Sequence, residues 1–348
     1  MISVEFVQEK LTKLKDVLKD AKKLIVLAHD NPDPDSISCA VTLAALVTQV
    51  FGVSAVARYQ GVVGRAENRE MIRVLGLDVK RLKKNELKSA DAVALVDSQP
   101  RTGNVALPRG LTPLIVIDHH PLRKATKAEF LDVRDDYGAT ATIVAEYLMV
   151  SGLHVTSQLA TALCYAISSE TQRLGREATQ HDLSMYLGLF ADASKKVLAQ
   201  IENPKLRREY FMTLNRALHQ AYVYKNAVVA VLGEISEPDF VPIVADFLLR
   251  CERISWSLVM GRFKHRIVVS LRTTRKKSDA GNFLRKLIGK RGSAGGHDMI
   301  AGGQIPCSHL SEETCETLQK EMTQLFFKKI GHKEATEATP LLLQESAV

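Results

Sequence analysis

The sequence predicts an α/β protein: an N-terminal domain with a mainly parallel sheet flanked by helices, a helical connector, and a smaller C-terminal α/β domain. Three observations lead there. Short apolar runs, Leu24–Ala28, Ala92–Val96 and Leu114–Ile117, alternate with helical patterns in the first half. Runs that are apolar at every position suit strands covered on both faces, the habit of parallel sheets. A length of 348 residues suits about two cores. A second series of strand and helix patterns then starts after residue 225.

Val4, Val7, Leu11, Leu14 and Leu18 recur at helical spacing and open the chain with an amphipathic helix. Glu5, Glu9 and Lys10, with no small-residue cleavage pattern, do not read as a signal peptide. The first strand, Leu24–Ala28, delivers His29. Asp33 before Pro34 gives an N-cap with proline at the first helical position, opening a helix from about Ser36 to Phe51 that stops at Gly52. Val53–Ala57 adds a strand, and helices are expected over Glu67–Leu75, Ala139–Val150 and Ser157–Ser168. From about Thr179 to Ala221 the pattern is helical and charged, broken at Asn203-Pro204, as in a connector. Strands near Ala227–Leu232, Trp256–Met260 and Ile267–Leu271 follow, with helices near Val241–Arg250 and Gly281–Ile288. A last helix runs from Ser311 to about Ile330, and the polar, Thr- and Glu-rich remainder reads as a mobile tail.

Apolar content of 46% and charged content of 25% are ordinary for a globular chain. The longest apolar stretches are interrupted well short of a spanning helix, so no membrane partner is expected. Five scattered cysteines without zinc-ligand spacing fit free thiols in a reducing cytoplasm. The net charge of +8 is uneven: between Gly261 and Arg291 eleven Lys and Arg face the single acid Asp279. That excess beside a glycine-rich loop calls for an anionic, phosphate-bearing partner.

The chemistry lies where the first strands end. Residues 29–35 read His-Asp-Asn-Pro-Asp-Pro-Asp, the second run ends in Asp97, and the third ends in Asp118-His119-His120. In parallel sheets ligands gather beyond the carboxyl ends of strands, so these groups are expected to converge. Carboxylates packed this closely repel one another unless a cation lies between them. His29, Asp33, Asp35, Asp97, His119 and His120 mix hard oxygens with imidazoles, which suits Mn²⁺, with Mg²⁺, Co²⁺ or Zn²⁺ compatible. Six donors exceed the needs of one ion, and two ions sharing a carboxylate would serve hydrolysis of a phosphate ester or anhydride.

His-x-Asn-Pro-Asp-x-Asp-Ser at 29–36, Val-Asp-Ser at 96–98 and Asp-His-His at 118–120 resemble successive motifs of the DHH phosphoesterase superfamily. Gly295-Gly296-His297 followed by Ala301-Gly302-Gly303 resembles the signature of the DHH-associated C-terminal domain. The resemblance implies a metal-binding catalytic domain over 1–185, a connector over 186–225, a substrate-binding domain over 226–331 and a tail over 332–348. It implies that His29 and Asp33 bind one metal, that Asp35 binds the other, and that Asp97 bridges both. His119 is then a further ligand, His120 lies toward the phosphate, and Asp118 orients imidazoles from behind. The family's Thr-Asp-Thr motif falls on Ser169-Glu170-Thr171, making Glu170 a ligand longer by one methylene. Arg272, Gly295, Gly296 and His297 correspond to residues that hold the far end of the substrate, although Ser293 and Ala294 replace part of the usual glycine run.

The implied function is that of the nano-RNase branch, a two-metal phosphodiesterase cutting short oligonucleotides or linear dinucleotides such as pGpG or pApA. Alternatives with the same chemistry are a 3′-phosphoadenosine 5′-phosphate phosphatase, a cyclic-dinucleotide phosphodiesterase and an exopolyphosphatase. The non-enzyme alternative is a nucleotide-binding regulatory protein. A second copy of the chain, forming a homodimer, is left open as a partner.

Overall fold

A computed structural model describes residues 3–342 except 106, 109, 176–177, 309–310 and 332–337, together with all side chains in that set but that of His297. The chain divides into two compact units, Met1–Lys205 and Leu206–Val348. The stretch expected as a separate connector is split between them. Its first helices bury Leu189 and Ile201 in the core of the first unit, while Ala217 and Ala221 join a core of the second. Their buried faces are narrow stripes, so the charged remainder dominates the sequence pattern.

In the first unit, α1 (Val4–Leu18) precedes β1 (Lys23–Leu27), α2 (Pro34–Phe51), β2 (Ser54–Tyr59), α3 (Ala66–Leu75) and β3 (Val79–Arg81). After a short 3₁₀ turn come β4 (Ala92–Val96), β5 (Ile115–Asp118) and β6 (Phe130–Val133). Helices α4 (Thr140–Val150), α5 (Ser157–Glu170), α6 (Gln180–Phe190) and α7 (Lys195–Glu202) close the unit. The six strands lie in the order β3-β2-β1-β4-β5-β6, every pair parallel. Alternate residues of β1 feed opposite faces: Leu24 and Val26 enter the core built with the helices. Ile25 and Leu27 pack with Val93, Leu95 and Val116 under connections carrying Leu87 and Val105. Strand order reverses between β1 and β4, which opens a crevice beyond their carboxyl ends.

Helix α2 starts as its sequence dictates. Asp33 is the N-cap, Pro34 occupies the first turn, and Gly52 ends the helix in the left-handed region at φ 74°. It is the one helix among the described residues long and apolar enough to cross a membrane, and 67% of that stretch is buried inside the unit. Several strand and helix boundaries of this unit differ from the expected ones by one or two residues, and β3 and β6 are additions too short to show in the sequence.

The second unit runs α8 (Arg208–Gln220), β7 (Ala221–Tyr224), β8 (Ala227–Glu234), α9 (Phe240–Leu248), β9 (Trp256–Phe263) and β10 (Arg266–Thr273). It continues with α10 (Ala280–Ile288), β11 (Ser293–His297), β12 (Ile300–Pro306), α11 (Glu312–Lys329) and β13 (Thr339–Pro340). The sheet order is β11-β12-β10-β9-β8-β7-β13. The glycine-rich segment expected as a loop is therefore strand β11, paired antiparallel with β12 from Ser293↔Gln304 to His297↔Ile300. Gly296 answers a packing demand: a Cβ there would run into the Ile300 carbonyl and Ala301 of β12. Within the expected tail, Thr339 and Pro340 pair with β7, helped by Leu341 packing on the β7–β8 core. Of the remaining tail residues, 332–337 and 343–348 lie outside the described residues.

Candidate metal centre

The carboxyl ends of β1, β4 and β5 bring five of the expected residues together. Donor atoms of His29, Asp33 and Asp97 lie within 4.8 Å of one another, and so do those of Asp97, His119 and His120. The two groups share Asp97. Its Oδ2 lies 3.5 Å from His29 Nε2 and its Oδ1 lies 3.6 Å from His119 Nε2. Asp97 follows β4 with a left-handed φ of 54°, a conformation that costs a non-glycine residue free energy and that aspartate tolerates better than most.

Hydrogen bonds fix how the imidazoles face this carboxylate. His29 Nδ1 lies 3.0 Å from the Asp30 carbonyl and His119 Nδ1 lies 3.2 Å from the Tyr137 carbonyl. A carbonyl oxygen only accepts, so each Nδ1 carries a proton. Neutral His119 then turns a bare Nε2 lone pair toward Asp97, and this buried atom makes no hydrogen bond among the described residues. Two acceptors face one another there at 3.6 Å. Donors sharing a metal at about 2.1 Å sit about 3.0–3.4 Å apart. The chemistry and spacing of this set thus fit a divalent cation.

Asp33 meets both expectations placed on it. Its Oδ1 accepts from the Ser36 amide at 2.9 Å to cap α2, while its Oδ2 faces His29 Nε2 at 3.4 Å. Asp35 is placed differently from the rest. Fully buried, it accepts from the backbone amides of Thr140 at 2.8 Å and Ala141 at 2.7 Å, thereby capping α4 from another helix. The N-cap residue of α4, Ala139, has no side chain to do so. Asp35 belongs to neither donor group, and neither does Glu170, the last residue of α5. Both remain near enough for their charges to act on the others.

Burial and crowding set the protonation of the site. Burial pushes the Asp97 carboxyl up and neighbouring Asp33 adds to it; burial, Asp97 and Glu170 do the same to Asp35. Burial alone would lower His29, but the carboxylates of Asp33 and Asp97 outweigh it and push the imidazole up to about 10. The proton answers the same excess of negative charge that a metal would. His119 is pushed down to about 4 by burial and by the adjacent His120, which leaves it neutral and ready to ligate. For His120 burial is overcome by Asp118, whose Oδ1 lies 2.9 Å from Nδ1, and the pKa rises.

Gln99, which carries no signal in the sequence, secures this last pair. Fully buried, it donates to Asp118 Oδ2 at 2.7 Å and to the carbonyls of His120 and Pro121, while its oxygen accepts from Arg123 N and Thr126 Oγ1. Thr140 was equally unforeseen: its hydroxyl donates to Asp97 Oδ1 at 2.9 Å.

The expected substrate-binding residues all lie in the second unit. Arg272 on β10 is 6% exposed; its Nε donates to Asp246 Oδ1 at 2.6 Å and its Nη1 to the carbonyls of Leu271 and Ala301. These bonds tie its side chain to α9 and to β12. Gly295 and Gly296 are exposed on β11, and the side chain of His297 lies outside the described residues.

A model of the DHH family N-terminal domain matches residues 23–167, and one of the DHHA1 domain matches residues 224–327. An uncharacterized protein of Methanocaldococcus jannaschii is 36% identical over 318 residues, 86% of this chain and 64% of that protein. A "Probable manganese-dependent inorganic pyrophosphatase" of Deinococcus radiodurans is 33% identical over 160 residues, 46% of this chain and 50% of that protein. The chain thus spans between half and two thirds of the length of these curated relatives. Among solved structures, an exopolyphosphatase-related protein of Bacteroides fragilis shares the fold with a TM-score of 0.71 at 14% identity, over 93% of this chain and 97% of that one.

Proposed function

Because this chain belongs to the DHH family and carries a DHHA1 domain, we propose that it is a divalent-metal-dependent phosphodiesterase that hydrolyses short oligonucleotides or linear dinucleotides to mononucleotides. The observation that carries the metal-dependent hydrolase is Asp97, with one oxygen toward His29 and Asp33 and the other toward His119. In this reading His29 and Asp33 hold one ion, His119, Asp35 and Glu170 serve the other, and Asp97 bridges. The mixed oxygen and imidazole donors favour Mn²⁺, the metal in the name of the pyrophosphatase relatives. Bound divalent cations would supply Lewis-acid activation of water and charge neutralisation at the phosphoryl group.

The chain's own residues do the rest. Asp118 holds the Nδ1–H of His120, so that Nε2 of this part-exposed ring is presented for a hydrogen bond or proton to a phosphoryl oxygen. The second unit has 21 Lys and Arg against 15 Asp and Glu, most of the net charge of the chain, which suits an anionic substrate. Arg272, Gly295, Gly296 and His297 are assigned there to the far end of the substrate. Five free cysteines agree with a reducing cytoplasm.

A second reading, hydrolysis of pyrophosphate or polyphosphate, is favoured by the names of the pyrophosphatase relatives and of the B. fragilis protein, and needs the same metal centre. The test is the purified chain with Mn²⁺ against pGpG, pApA, 3′-phosphoadenosine 5′-phosphate, cyclic dinucleotides, pyrophosphate and polyphosphate. Turnover of the linear dinucleotides, abolished by EDTA, is expected. Activity on pyrophosphate or polyphosphate alone overturns the nucleotide substrate, and silence throughout with metal bound overturns the enzyme.

A further inference from the structure

One stretch of chain, Tyr137–Thr142, runs from the β6 side into the first turn of α4 and touches three residues of the centre. The Tyr137 carbonyl takes the Nδ1–H of His119 at 3.2 Å. The Thr140 hydroxyl donates to Asp97 Oδ1 at 2.9 Å, and the amides of Thr140 and Ala141 donate to Asp35. The position of this stretch therefore sets where three side chains point.

What holds the stretch is the start of α6. Asp182 there is fully buried. Its Oδ2 accepts from the Thr179 amide at 2.7 Å while the Thr179 hydroxyl accepts from the Asp182 amide, the capping box of its own helix, and that hydroxyl also donates to Oδ2 at 2.8 Å. The same Oδ2 also accepts from the Gly138 amide at 2.9 Å, and Oδ1 accepts from the Thr142 hydroxyl. A capping box needs neither of these last two bonds. They grip the residues on either side of the Thr140 and Ala141 amides. Beside Asp182, the ring of His181 stacks on Tyr137 with centroids 4.8 Å apart and an interplanar angle of 11°.

We propose that Asp182 is a positioning residue for the metal centre, acting through Gly138 and Thr142 to hold His119 and Asp97 in their ligating orientation and to fix the amides from which Asp35 accepts. This rests on the metal-centre reading of the proposed function. Partners one step behind metal ligands change metal affinity by about 10- to 100-fold when removed. A residue that served only the stability of α6 would leave that affinity alone.

The experiment is isothermal titration of the full chain with Mn²⁺, with thermal melts of each variant alongside. Asp182→Ala and Thr142→Val are expected to raise the Mn²⁺ Kd about tenfold or more. Thr142→Ser, which keeps the hydroxyl, restores it to within about threefold. Thr179→Ala, which breaks the cap but spares Gly138 and Thr142, lowers Tm and leaves Kd within about threefold. The proposal is overturned if Thr142→Val, folded by circular dichroism, binds Mn²⁺ like wild type, or if Thr179→Ala weakens binding as much as Asp182→Ala. Should Asp182→Ala not fold, Thr142→Val and Thr142→Ser decide alone. A wild-type chain that binds no Mn²⁺ overturns the metal-centre reading and this inference with it; one that binds Mn²⁺ but cleaves nothing overturns only the proposed activity.

Discussion

The two oxygens of Asp33 take different partners, Ser36 N at 2.9 Å and His29 Nε2 at 3.4 Å, so capping and ligation are not rival readings of that residue. Asp35, two positions on, accepts from the α4 amides, a contact made across 105 residues that no local pattern encodes. The motif residues His29, Asp33, Asp97, His119 and His120 are legible because each lies within five residues of the end of an apolar run, and parallel strands release such residues on one edge. Gln99 and Thr140 were not legible, since a buried amide or hydroxyl is defined only by what folds around it. Asp97→Asn removes the charge shared by both donor groups and puts an amide N–H₂ toward one of them. Turnover is expected to fall to background with Mn²⁺ binding weakened, and activity within about tenfold of wild type in steady-state assays would overturn the bridging role. Gln99→Ala leaves Asp118 without its 2.7 Å donor and frees the loop after His120. A drop of about 10- to 100-fold in kcat is expected. Gln99→Glu, which sets a second carboxylate against Asp118, should be worse in the same assay.

At the scale of elements, long helices and continuous apolar runs were read well, while β3, β6, β7 and β11–β13 were not. These strands are short, or, like β11, glycine-rich and without apolar alternation; only their partners define them. In β11 the two glycines differ. A Cβ on Gly281 would meet the Gly296 carbonyl and one on Gly296 would meet Ile300 and Ala301, whereas nothing lies within 4 Å of a Cβ on Gly295. Gly281→Ala should therefore cost about 1–3 kcal/mol in urea unfolding. Gly295→Ala should leave stability unchanged and raise KM if this face meets substrate. A second element-level feature joins α1, β6 and α4. Arg134, 7% exposed at its side chain, pairs with Asp132 at 2.7 Å and with Glu146, while Lys10 reaches Asp132 at 3.1 Å. Arg134→Ala would strand two buried carboxylates, and about 3–5 kcal/mol of destabilisation is expected from equilibrium unfolding. Burial would raise the Asp132 carboxyl, but the Arg134 guanidinium outweighs it and holds the pKa below its ordinary value. The folded state is thus favoured wherever Asp132 is ionised and loses that stability as pH falls below about 4. Melts of wild type between pH 3 and 6 should fall along this limb, and a variant without the pair should show a shallower slope.

Across the whole molecule, each unit has cores of its own, so metal binding and unit stability can be read separately. The boundary after residue 205 was obscured in the sequence because α7 and α8 both show charged faces while burying only Ile201 in one core and Ala217 in another. The two ordered motif series, by contrast, fall one in each unit, because clustered donors and glycine contacts constrain residue identity more tightly than helix boundaries do. Every donor of the candidate centre lies in the first unit. An ion that binds only the native state stabilises by about 2.7 kcal/mol at a hundred times its Kd. For a unit of about 200 residues that corresponds to roughly 5–10 °C in Tm. Calorimetry of the full chain should therefore resolve two transitions, with Mn²⁺ raising one and EDTA returning it, while the other stays in place. Asp97→Asn should abolish the shift without moving the second transition. Equal shifts in both transitions would mean that the second unit also binds the ion, and a shift that survives Asp97→Asn would place the ion away from the β1, β4 and β5 ends.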